Sequence, residues 1–367
     1  MNINLFSFFS GSGFLDLGFE MNNFSIKLVN EFSPSFMKAY SYSRRMMGMT
    51  QPEFGYQNND INDFLASRQN EINSYVKSSK AETLTGFIGG PPCPDFSVAG
   101  KNKGREGDNG KLSLSYINSI ISFKPDFFLF ENVKGLWKTE KHRAYFEELK
   151  NMLHAAGYCT TNRLINALEY GAPQDRERIL LFGVCKNLLS KDSYKNEEII
   201  NFPWFENVLY NMNDIHSCQW PSTNIFQENS VIVQPENIIP ELTVEYWFRK
   251  NDVLNHPNGA DFFTPKAGLE KMKVILEGDV SKKCYKRLNR WRYSPTAAYG
   301  NNEVHLHPYK IRRLSVAETL AIQSLPKEFS LPEEMTLTDK FKTVGNGVPY
   351  LAAYGIAATI KHYLENL

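Results

Sequence analysis

The first half of this chain alternates short apolar runs with segments whose apolar residues recur at helical spacing. Strand candidates lie at residues 3–9, 26–29, 87–88, 127–130 and 179–184, and helical spacing covers 33–45, 61–77, 113–123 and 144–156. Strands that alternate with helices are typical of a parallel sheet with helices on both faces. We therefore predict an α/β fold with a doubly wound, mostly parallel sheet.

The sequence pattern changes near residue 186. From there to about residue 309 the chain consists of short, irregular pieces punctuated by Asn and Pro. This change predicts a small second domain with its hinge at 189–335, inserted into a first domain formed by 1–188 and completed by 336–367. Helices are predicted at 315–323, with Ser315 as N-cap and Glu318 in a capping box, and at 349–364.

A single thiol occupies the most distinctive turn. Residues 89–97 read Gly-Gly-Pro-Pro-Cys-Pro-Asp-Phe-Ser, directly after the strand candidate at 87–88. Pro91 and Pro92 fix φ and stop a helix from running through the turn. Cys93 is therefore predicted at the carboxyl end of a strand, where open α/β sheets bind their ligands, and we interpret it as a nucleophile.

A glycine turn follows the first strand candidate. Residues 9–20 read Phe-Ser-Gly-Ser-Gly-Phe-Leu-Asp-Leu-Gly-Phe-Glu, a tight turn into a helix that lets a ligand approach the backbone closely. Glu31 ends the next strand, about where a carboxylate binds ribose hydroxyls. Asp16 stands where a dinucleotide motif has its third glycine, and no Gly-Lys-Ser/Thr phosphate loop is present. The pattern indicates a cofactor that carries a nucleoside.

Composition argues against several classes of protein. The formal net charge is +1, so an anionic partner must be met by a local patch, such as residues 281–292, which mix cations with aromatics. The five cysteines include no Cys-x-x-Cys pair, which argues against a disulfide framework and a zinc site. No segment has the apolar length to cross a bilayer, and the amino terminus lacks a secretory leader. We expect a soluble cytoplasmic protein with reduced thiols and no metal.

Taken in order, these segments resemble the motifs of the cytosine-5 DNA methyltransferase family over nearly the whole chain outside the insertion. The resemblance implies a Rossmann-like domain that binds S-adenosylmethionine and releases S-adenosylhomocysteine. It implies that Glu31 binds the ribose, that Phe32 lies against the adenine and that Asp60 and Ile61 meet the adenine edge. The other implied cofactor contacts are Phe9, Ser10, Gly11, Ser12, Gly13, Phe14, Pro92, Leu112 and Asn346.

The last motif has a structural consequence. Residues 344–349, Val-Gly-Asn-Gly-Val-Pro, are similar to the family's final motif, whose asparagine reaches back to the cofactor. For Asn346 to do so, the carboxyl-terminal helix must pack beside the first helix.

The same resemblance implies a catalytic set. Pro-Pro-Cys at 91–93 is similar to the nucleophile motif, Glu-Asn-Val at 131–133 to the acid motif, and Gln-Asp-Arg-Glu-Arg at 174–178 to the motif that faces the base and the DNA backbone. The implied catalytic residues are Cys93, Glu131, Arg176 and Arg178. A thiolate that adds to C6 of cytosine builds electron density at C5. A carboxyl group at N3 and a guanidinium at O2 would stabilise the charge that develops.

A base inside a duplex must be flipped out before such chemistry. Residues 96–111, rich in Gly and Lys, are predicted to close over DNA, and the insertion is expected to read the major groove. Residues 312–326 resemble the segment that shapes the recognition domain. The predicted DNA contacts are Ser97, Lys101, Lys103, Arg105, Gln174, Arg176, Lys283, Arg287, Arg290 and Arg292.

These features predict a DNA (cytosine-5-)-methyltransferase of the bacterial restriction–modification type, acting as a monomer on double-stranded DNA at the nucleoid. The same features are compatible with a further partner, a cognate restriction endonuclease that acts on the same DNA site. One alternative is a tRNA cytosine-5 methyltransferase with the same motifs, which the long insertion disfavours. A second is a non-catalytic DNA-binding relative, which the joint presence of the four catalytic residues disfavours.

Overall fold

A large sheet forms the centre of this computed structural model, which describes residues 2–92, 108–265, 268–282, 284–297, 299 and 304–367, with the backbone alone at 108 and 109. Its strands, and those of two small two-stranded sheets, are β1 (Ile3–Phe8), β2 (Phe24–Asn30), β3 (Tyr56–Gln57), β4 (Thr85–Gly89), β5 (Phe127–Val133), β6 (Tyr158–Asn166), β7 (Gln174–Asp175), β8 (Glu177–Cys185), β9 (Tyr194–Lys195), β10 (Glu198–Ile199), β11 (Lys286–Arg287), β12 (Ser294–Pro295) and β13 (His305–Leu306).

Nine of the strands in the described ranges form the central sheet, in the order β3-β2-β1-β4-β5-β8-β6-β10-β9. Strands β1 to β5 are parallel, whereas β8 runs antiparallel to both β5 and β6, and β9 runs antiparallel to β10. The predicted mostly parallel α/β sheet is thus confirmed. The small sheets pair β11 with β13 and β12 with β7.

The helices cover both faces of the sheet and part of the insertion. They are α1 (Phe14–Glu20), α2 (Pro34–Met46), α3 (Ile61–Ser67), α4 (Gln69–Glu82), α5 (Asp108–Phe123), α6 (Gly135–Lys138), α7 (Glu140–Ala155), α8 (Met212–Ser217), α9 (Val244–Lys250), α10 (Leu269–Lys273), α11 (Val316–Ile322), α12 (Leu337–Asn346) and α13 (Tyr350–Glu365). The single helix predicted over 61–77 is interrupted at Arg68, which separates α3 from α4. The capping box of Ser315 and Glu318 is present at α11, as predicted.

Successive side chains of the central strands enter two different cores. Leu5 packs on the face covered by α1, α2 and α13, whereas Phe6 and Phe8 pack on the face covered by α3, α4, α5 and α7. The same alternation holds along β5, where Leu129 enters the first core and Phe130 the second. Because strand side chains alternate between faces, a strand buried on both faces reads as a continuous apolar run.

The first and last helices pack together, as the last motif predicts. A Cβ atom on Gly18 of α1 would lie 2.5 Å from the backbone carbon of Ala353 in α13, so only glycine permits this approach. Asn22 Nδ2 donates to the carbonyl of Tyr354 at 3.0 Å, and Lys361 Nζ donates to the carbonyl of Asn22 at 2.9 Å. The last helix of the chain therefore packs directly against the first.

Segments near both ends of the predicted insertion pack against the predicted first domain. Strands β9 and β10 lie beyond residue 188 and extend the central sheet, and Phe202 and Trp204 pack into its first core. Val316 and Leu320 of α11 pack with Phe14 and Leu17 of α1. Apolar residues near both ends of 189–335 are therefore packed against residues of the predicted first domain.

Candidate active site

The carboxyl ends of β1 and β4 meet where the strand order reverses. Strand β2 lies on one side of β1 and β4 on the other, and Phe8 pairs with Gly89 at the last position of both strands. The crevice at such a switch point is where open α/β sheets bind ligands. The glycine turn after β1 and the proline turn after β4 therefore begin side by side.

Glu31 holds the glycine turn. Its Oε2 accepts a hydrogen bond from the backbone N–H of Gly11 at 2.9 Å, and its Oε1 accepts one from Ser33 N–H at 2.7 Å. Burial raises the pKa of Glu31, against the effect of these bonds. Gly11 and Gly13 have φ of 57° and 78°, which favour glycine, and a Cβ on Gly11 would meet no atom within 4 Å. The turn therefore leaves room for a ligand.

Arg44 supports the glycine turn from beneath, and we did not predict it. Its Nη2 donates to the carbonyl of Gly13 at 2.6 Å, and its Nε donates to Glu20 Oε2 at 2.7 Å. Beside it, the hydroxyl of Tyr40 donates to Asp16 Oδ2 at 2.9 Å. Arg44 is fully buried, one turn after Tyr40 on the apolar face of α2. An arginine at an apolar helical position was the signal in the sequence.

The residues predicted to hold the nucleoside come together after β2 and β3. Asn58 Nδ2 donates to the carbonyls of Glu31 and Phe32, at 2.7 and 3.0 Å, and so joins the two loops. The ring of Phe32 is 70% exposed beside the Glu31 carboxylate. Asp60 caps α3 by accepting from Asn62 N–H at 2.8 Å, and Ile61 is buried behind it.

The final motif also reaches the glycine turn. The hydroxyls of Ser12 and Thr343 share a hydrogen bond of 2.6 Å, and a Cβ on Gly347 would lie 2.1 Å from the ring of Phe14. Asn346 is exposed at the end of α12. The remaining predicted cofactor residues differ in exposure: Ser10 is half-buried, Phe9 is half-buried against Tyr116, Leu112 is half-buried in the second core, and Pro92 is exposed.

Glu131 and Arg178 form an ion pair at the same edge of the sheet. Arg178 Nε lies 2.8 Å from Glu131 Oε1, and a Cβ on Gly90 would lie 2.7 Å from Glu131 Oε2. Asn132 Nδ2 donates to the carbonyl of Pro91 at 3.4 Å. Burial raises the pKa of Glu131, opposed by Arg178 and Arg176, and burial lowers the pKa of Arg178, opposed by Glu131. The carboxyl group therefore borders the proline turn.

Arg176 and Gln174 lie deeper than their neighbour Arg178. Arg176 Nη1 donates to the carbonyl of Ala297 at 2.8 Å, and its Nη2 donates to that of Gly345 at 2.9 Å. Burial lowers the pKa of Arg176. Gln174 is fully buried, and its Oε1 accepts from Ala297 N–H at 2.9 Å. Arg176 and Gln174 thus each form hydrogen bonds with the backbone of other segments of the protein.

The predicted nucleophile and most of the predicted lid lie outside the described residues, whereas residues 108–111 of the lid begin α5. Residues 93–107 and residue 283 lie outside the described residues. The predictions that fall there are Cys93, Ser97, Lys101, Lys103, Arg105 and Lys283. Pro92 is described, so the chain that leads to Cys93 leaves β4 beside Glu131.

Three of the arginines predicted to contact DNA are buried in this structure: Arg176, Arg287 and Arg290. Arg287 is 0% exposed and donates to the carbonyls of Met272, Ile275, His307 and Lys310. Arg290 pairs with Glu277 through two bonds of 2.8 Å. Guanidinium groups whose donors already meet buried acceptors do not reach a phosphate. Arg292 is exposed, with its guanidinium 5.2 Å from the Tyr293 ring centroid.

Neither a membrane-spanning helix nor a cluster of metal-binding side chains is present within the described ranges. No helix there is long and apolar enough to cross a membrane. No three His, Cys, Asp or Glu side chains there come together as metal ligands.

Comparison with known proteins agrees with the fold and the motifs. The family model for C-5 cytosine-specific DNA methylase matches residues 3–362. Type II methyltransferase M.NmeDI of Neisseria meningitidis serogroup C is 56% identical over 364 residues, which cover 99% of this chain and 84% of the relative.

Two solved structures show a similar fold. A prophage protein of Escherichia coli, described as a DNA modification methyltransferase, superposes with a TM-score of 0.66 at 22% identity and 100% coverage of both chains. The Dnmt2 methyltransferase of Schizosaccharomyces pombe superposes with a TM-score of 0.61 at 12% identity and 99% coverage of both chains. At these identities the likeness concerns the fold alone.

Proposed function

This chain belongs to the C-5 cytosine-specific DNA methylase family, and from that premise we propose which of its residues carry methyl transfer to DNA. It is a DNA (cytosine-5-)-methyltransferase of the type II class. The observation that best supports the residue assignment is the Glu131–Arg178 pair beside Gly90, because it puts a carboxyl group and a guanidinium next to the turn that leads to Cys93.

S-adenosylmethionine use is implied by the family, and the described residues fit its chemical parts. The Glu31 carboxylate suits the ribose hydroxyls, and the exposed ring of Phe32 offers a face for the adenine. Asp60 begins the neighbouring helix, and the open space above Gly11 has room for the methionine part. When bound, this cofactor supplies a methyl group on a positively charged sulfur.

Cys93, Glu131 and Arg178 divide the work on the target base. In this proposal the Cys93 thiolate bonds to C6 of cytosine, and the electrons of the C5–C6 double bond move toward N3 and O2. Glu131 meets N3 and the exocyclic amine, and Arg178 meets O2, so both stabilise the charge that develops. C5 then takes the methyl group, a base removes the C5 proton, and the thiolate leaves as the double bond re-forms.

Arg176 has a different part in this assignment. Its guanidinium donates to two backbone carbonyls on other segments, so we assign it to holding the site together. The DNA duplex would be held by Arg292 and by cations of the 96–111 segment, with the target base flipped out. We further propose that the enzyme acts as a monomer, without a metal, in the bacterial cytoplasm, alongside a restriction endonuclease of the same specificity.

Trapping with a fluorinated substrate tests the covalent mechanism. Duplex DNA with 5-fluorocytosine at the target position lacks the C5 proton that must leave, so the enzyme should remain bonded to it when S-adenosylmethionine is present. We expect a denaturation-resistant adduct with the wild-type protein and none with Cys93→Ser, whose binding of S-adenosylhomocysteine should stay unchanged. Absence of an adduct with folded, cofactor-loaded wild-type protein would refute the assignment. Methyl transfer to tRNA alone would refute duplex DNA as the substrate.

A further inference from the structure

Asn346 is the last residue of α12, directly before the turn to α13, and the helix ends on both sides of this turn need hydrogen-bond partners. The last carbonyls of an α-helix have no donor within the helix, and the first N–H groups have no acceptor. Gly347 N–H turns back to the carbonyls of Thr343 and Val344, at 3.1 and 3.3 Å. Pro349 has no N–H, so it adds no donor to this turn. Other segments must satisfy the remaining groups.

Two side chains from distant parts of the chain cap the end of α12. Gln323 Nε2 donates to the carbonyl of Val344 at 2.5 Å, and Arg176 Nη2 donates to the carbonyl of Gly345 at 2.9 Å. Both side chains are buried. The guanidinium also faces the negative end of the helix dipole, which favours a cation there.

The same short segment caps the start of α13. Tyr350 N–H donates to the carbonyl of Gln323 at 2.8 Å, and Leu351 N–H donates to Ser324 Oγ at 3.0 Å. Ser324 has a φ of 54°, a left-handed conformation that is uncommon for serine. Residues 323 and 324 therefore hold both helices that flank the turn after Asn346.

We propose that Gln323 is a positioning residue for the cofactor, acting through the α12–α13 turn. This inference rests on the proposed cofactor site and on the contact with the cofactor that the final motif implies for Asn346. The resemblance to known motifs assigns residues 312–326 to shaping the recognition domain, whereas the contacts of Gln323 also face the final motif. Gln323 Oε1 accepts from Gln174 Nε2 at 3.3 Å, and Gln174 Oε1 accepts from Ala297 N–H at 2.9 Å. Two buried amides in series, those of Gln174 and Gln323, thus link Ala297 to the end of α12.

Gln323→Met tests the proposal because it keeps the buried volume and removes both hydrogen-bonding atoms. We expect the Kd for S-adenosylhomocysteine, measured by calorimetry without DNA, to rise about tenfold, the effect of losing a buried bond or two. The KM for S-adenosylmethionine should rise by a similar factor, while kcat changes less than about threefold. Ser324→Gly is the second test variant and serves if Gln323→Met does not fold. It removes the hydroxyl that caps α13, whereas glycine suits the positive φ at this position, and it should also raise the Kd for S-adenosylhomocysteine.

Thr319→Val is the matched control. Thr319 is fully buried in α11 and donates to the carbonyl of Val316 at 2.8 Å, within the same helix. It should lower Tm and leave the Kd unchanged. Variants at 323 and 324 that lose stability but keep the wild-type Kd would overturn the positioning role alone. Wild-type protein that binds no S-adenosylhomocysteine would instead overturn the cofactor assignment, and this inference with it.

Discussion

Arg178 Nε lies 2.8 Å from Glu131 Oε1, in a pair that strands β5 and β8 bring to the mouth of the switch-point crevice. Val133 pairs with Arg178 and Glu131 with Leu180, so the two charged side chains lie diagonally on one face of the antiparallel ladder. Both side chains are nearly buried, with 10% of Glu131 and 12% of Arg178 exposed. The pair is therefore shielded from water before any substrate arrives.

Arg178→Met should destabilise the protein in a pH-dependent way. It leaves the Glu131 carboxylate buried without its main cation, so we expect the free energy of unfolding at neutral pH to fall by about 3–5 kcal/mol. Burial already raises the pKa of Glu131, and loss of Arg178 raises it further. The deficit relative to wild type should grow as pH rises through that pKa and shrink as the carboxyl group takes up its proton. Urea unfolding at several pH values measures this.

The double variant Glu131→Gln/Arg178→Met separates pairing from simple packing loss. With neither charge present, it should recover part of the stability lost in Arg178→Met and show a flatter pH dependence. A double variant as unstable as the sum of the single changes would contradict the coupling.

Arg44→Met should weaken both the fold and cofactor binding. It removes the donor to the Gly13 carbonyl and leaves Glu20 buried without its cation, so we expect a loss of about 3–5 kcal/mol in the free energy of unfolding. Thermal unfolding with and without S-adenosylhomocysteine measures the two effects. Arg45→Met, at the exposed next position, should change neither. Equal effects at 44 and 45 would exclude a specific support for the turn.

Glu31→Ala should reduce affinity for S-adenosylhomocysteine by about 10- to 100-fold, because hydrogen bonds to a charged group are lost. DNA binding should stay unchanged, and a drop in DNA affinity would contradict this assignment. The pKa of Glu31 is raised by burial, so wild-type affinity should fall as pH drops through that pKa. Glu53→Ala, which removes a half-exposed carboxylate paired with Lys27, is the control for both measurements.

Arg292→Ala should affect DNA binding, whereas Arg287→Met should affect the stability of the fold. Loss of exposed Arg292 should lower DNA affinity for every sequence and reduce the slope of log K against log salt by about 0.9, with no change in Tm. Loss of Arg287 removes the donors to four backbone carbonyls, so Tm should fall. A steeper salt slope or an unchanged one in Arg292→Ala would remove it from the DNA interface.

Gly18→Ala should separate α1 from α13. The new methyl group would lie 2.5 Å from backbone of Ala353, and overpacking of this kind costs about 1–3 kcal/mol. Chemical denaturation measures the loss. Adding Ala353→Gly removes the methyl group of residue 353, which lies 2.6 Å from the new atom, and should restore part of the stability. No recovery would show that the backbone contact alone sets the spacing.

The alternating strands and helices of the first half could be predicted, because each of them shows its burial in the pattern of its own residues. Strands β1, β5 and β8 are buried on both faces, so they appear as apolar runs, and the capping box at Ser315 needs only residues three apart. Strand β6 was missed because polar residues interrupt it, and β9 and β10 because two residues leave no pattern.

The candidate site also has one part that could be predicted from the sequence and one part that could not. The order of motifs in the sequence by itself determined the family, the glycine turn and the identity of the charged residues at the crevice. Only the tertiary structure decided which charges face it, because burial depends on contacts between distant segments. Arg178 lies beside Glu131, whereas Arg176, Arg287 and Arg290 donate to buried acceptors that local sequence does not reveal. Exposure and hydrogen-bond partners are properties of the packed chain, and they separate an arginine that can bind DNA from one that holds the fold together.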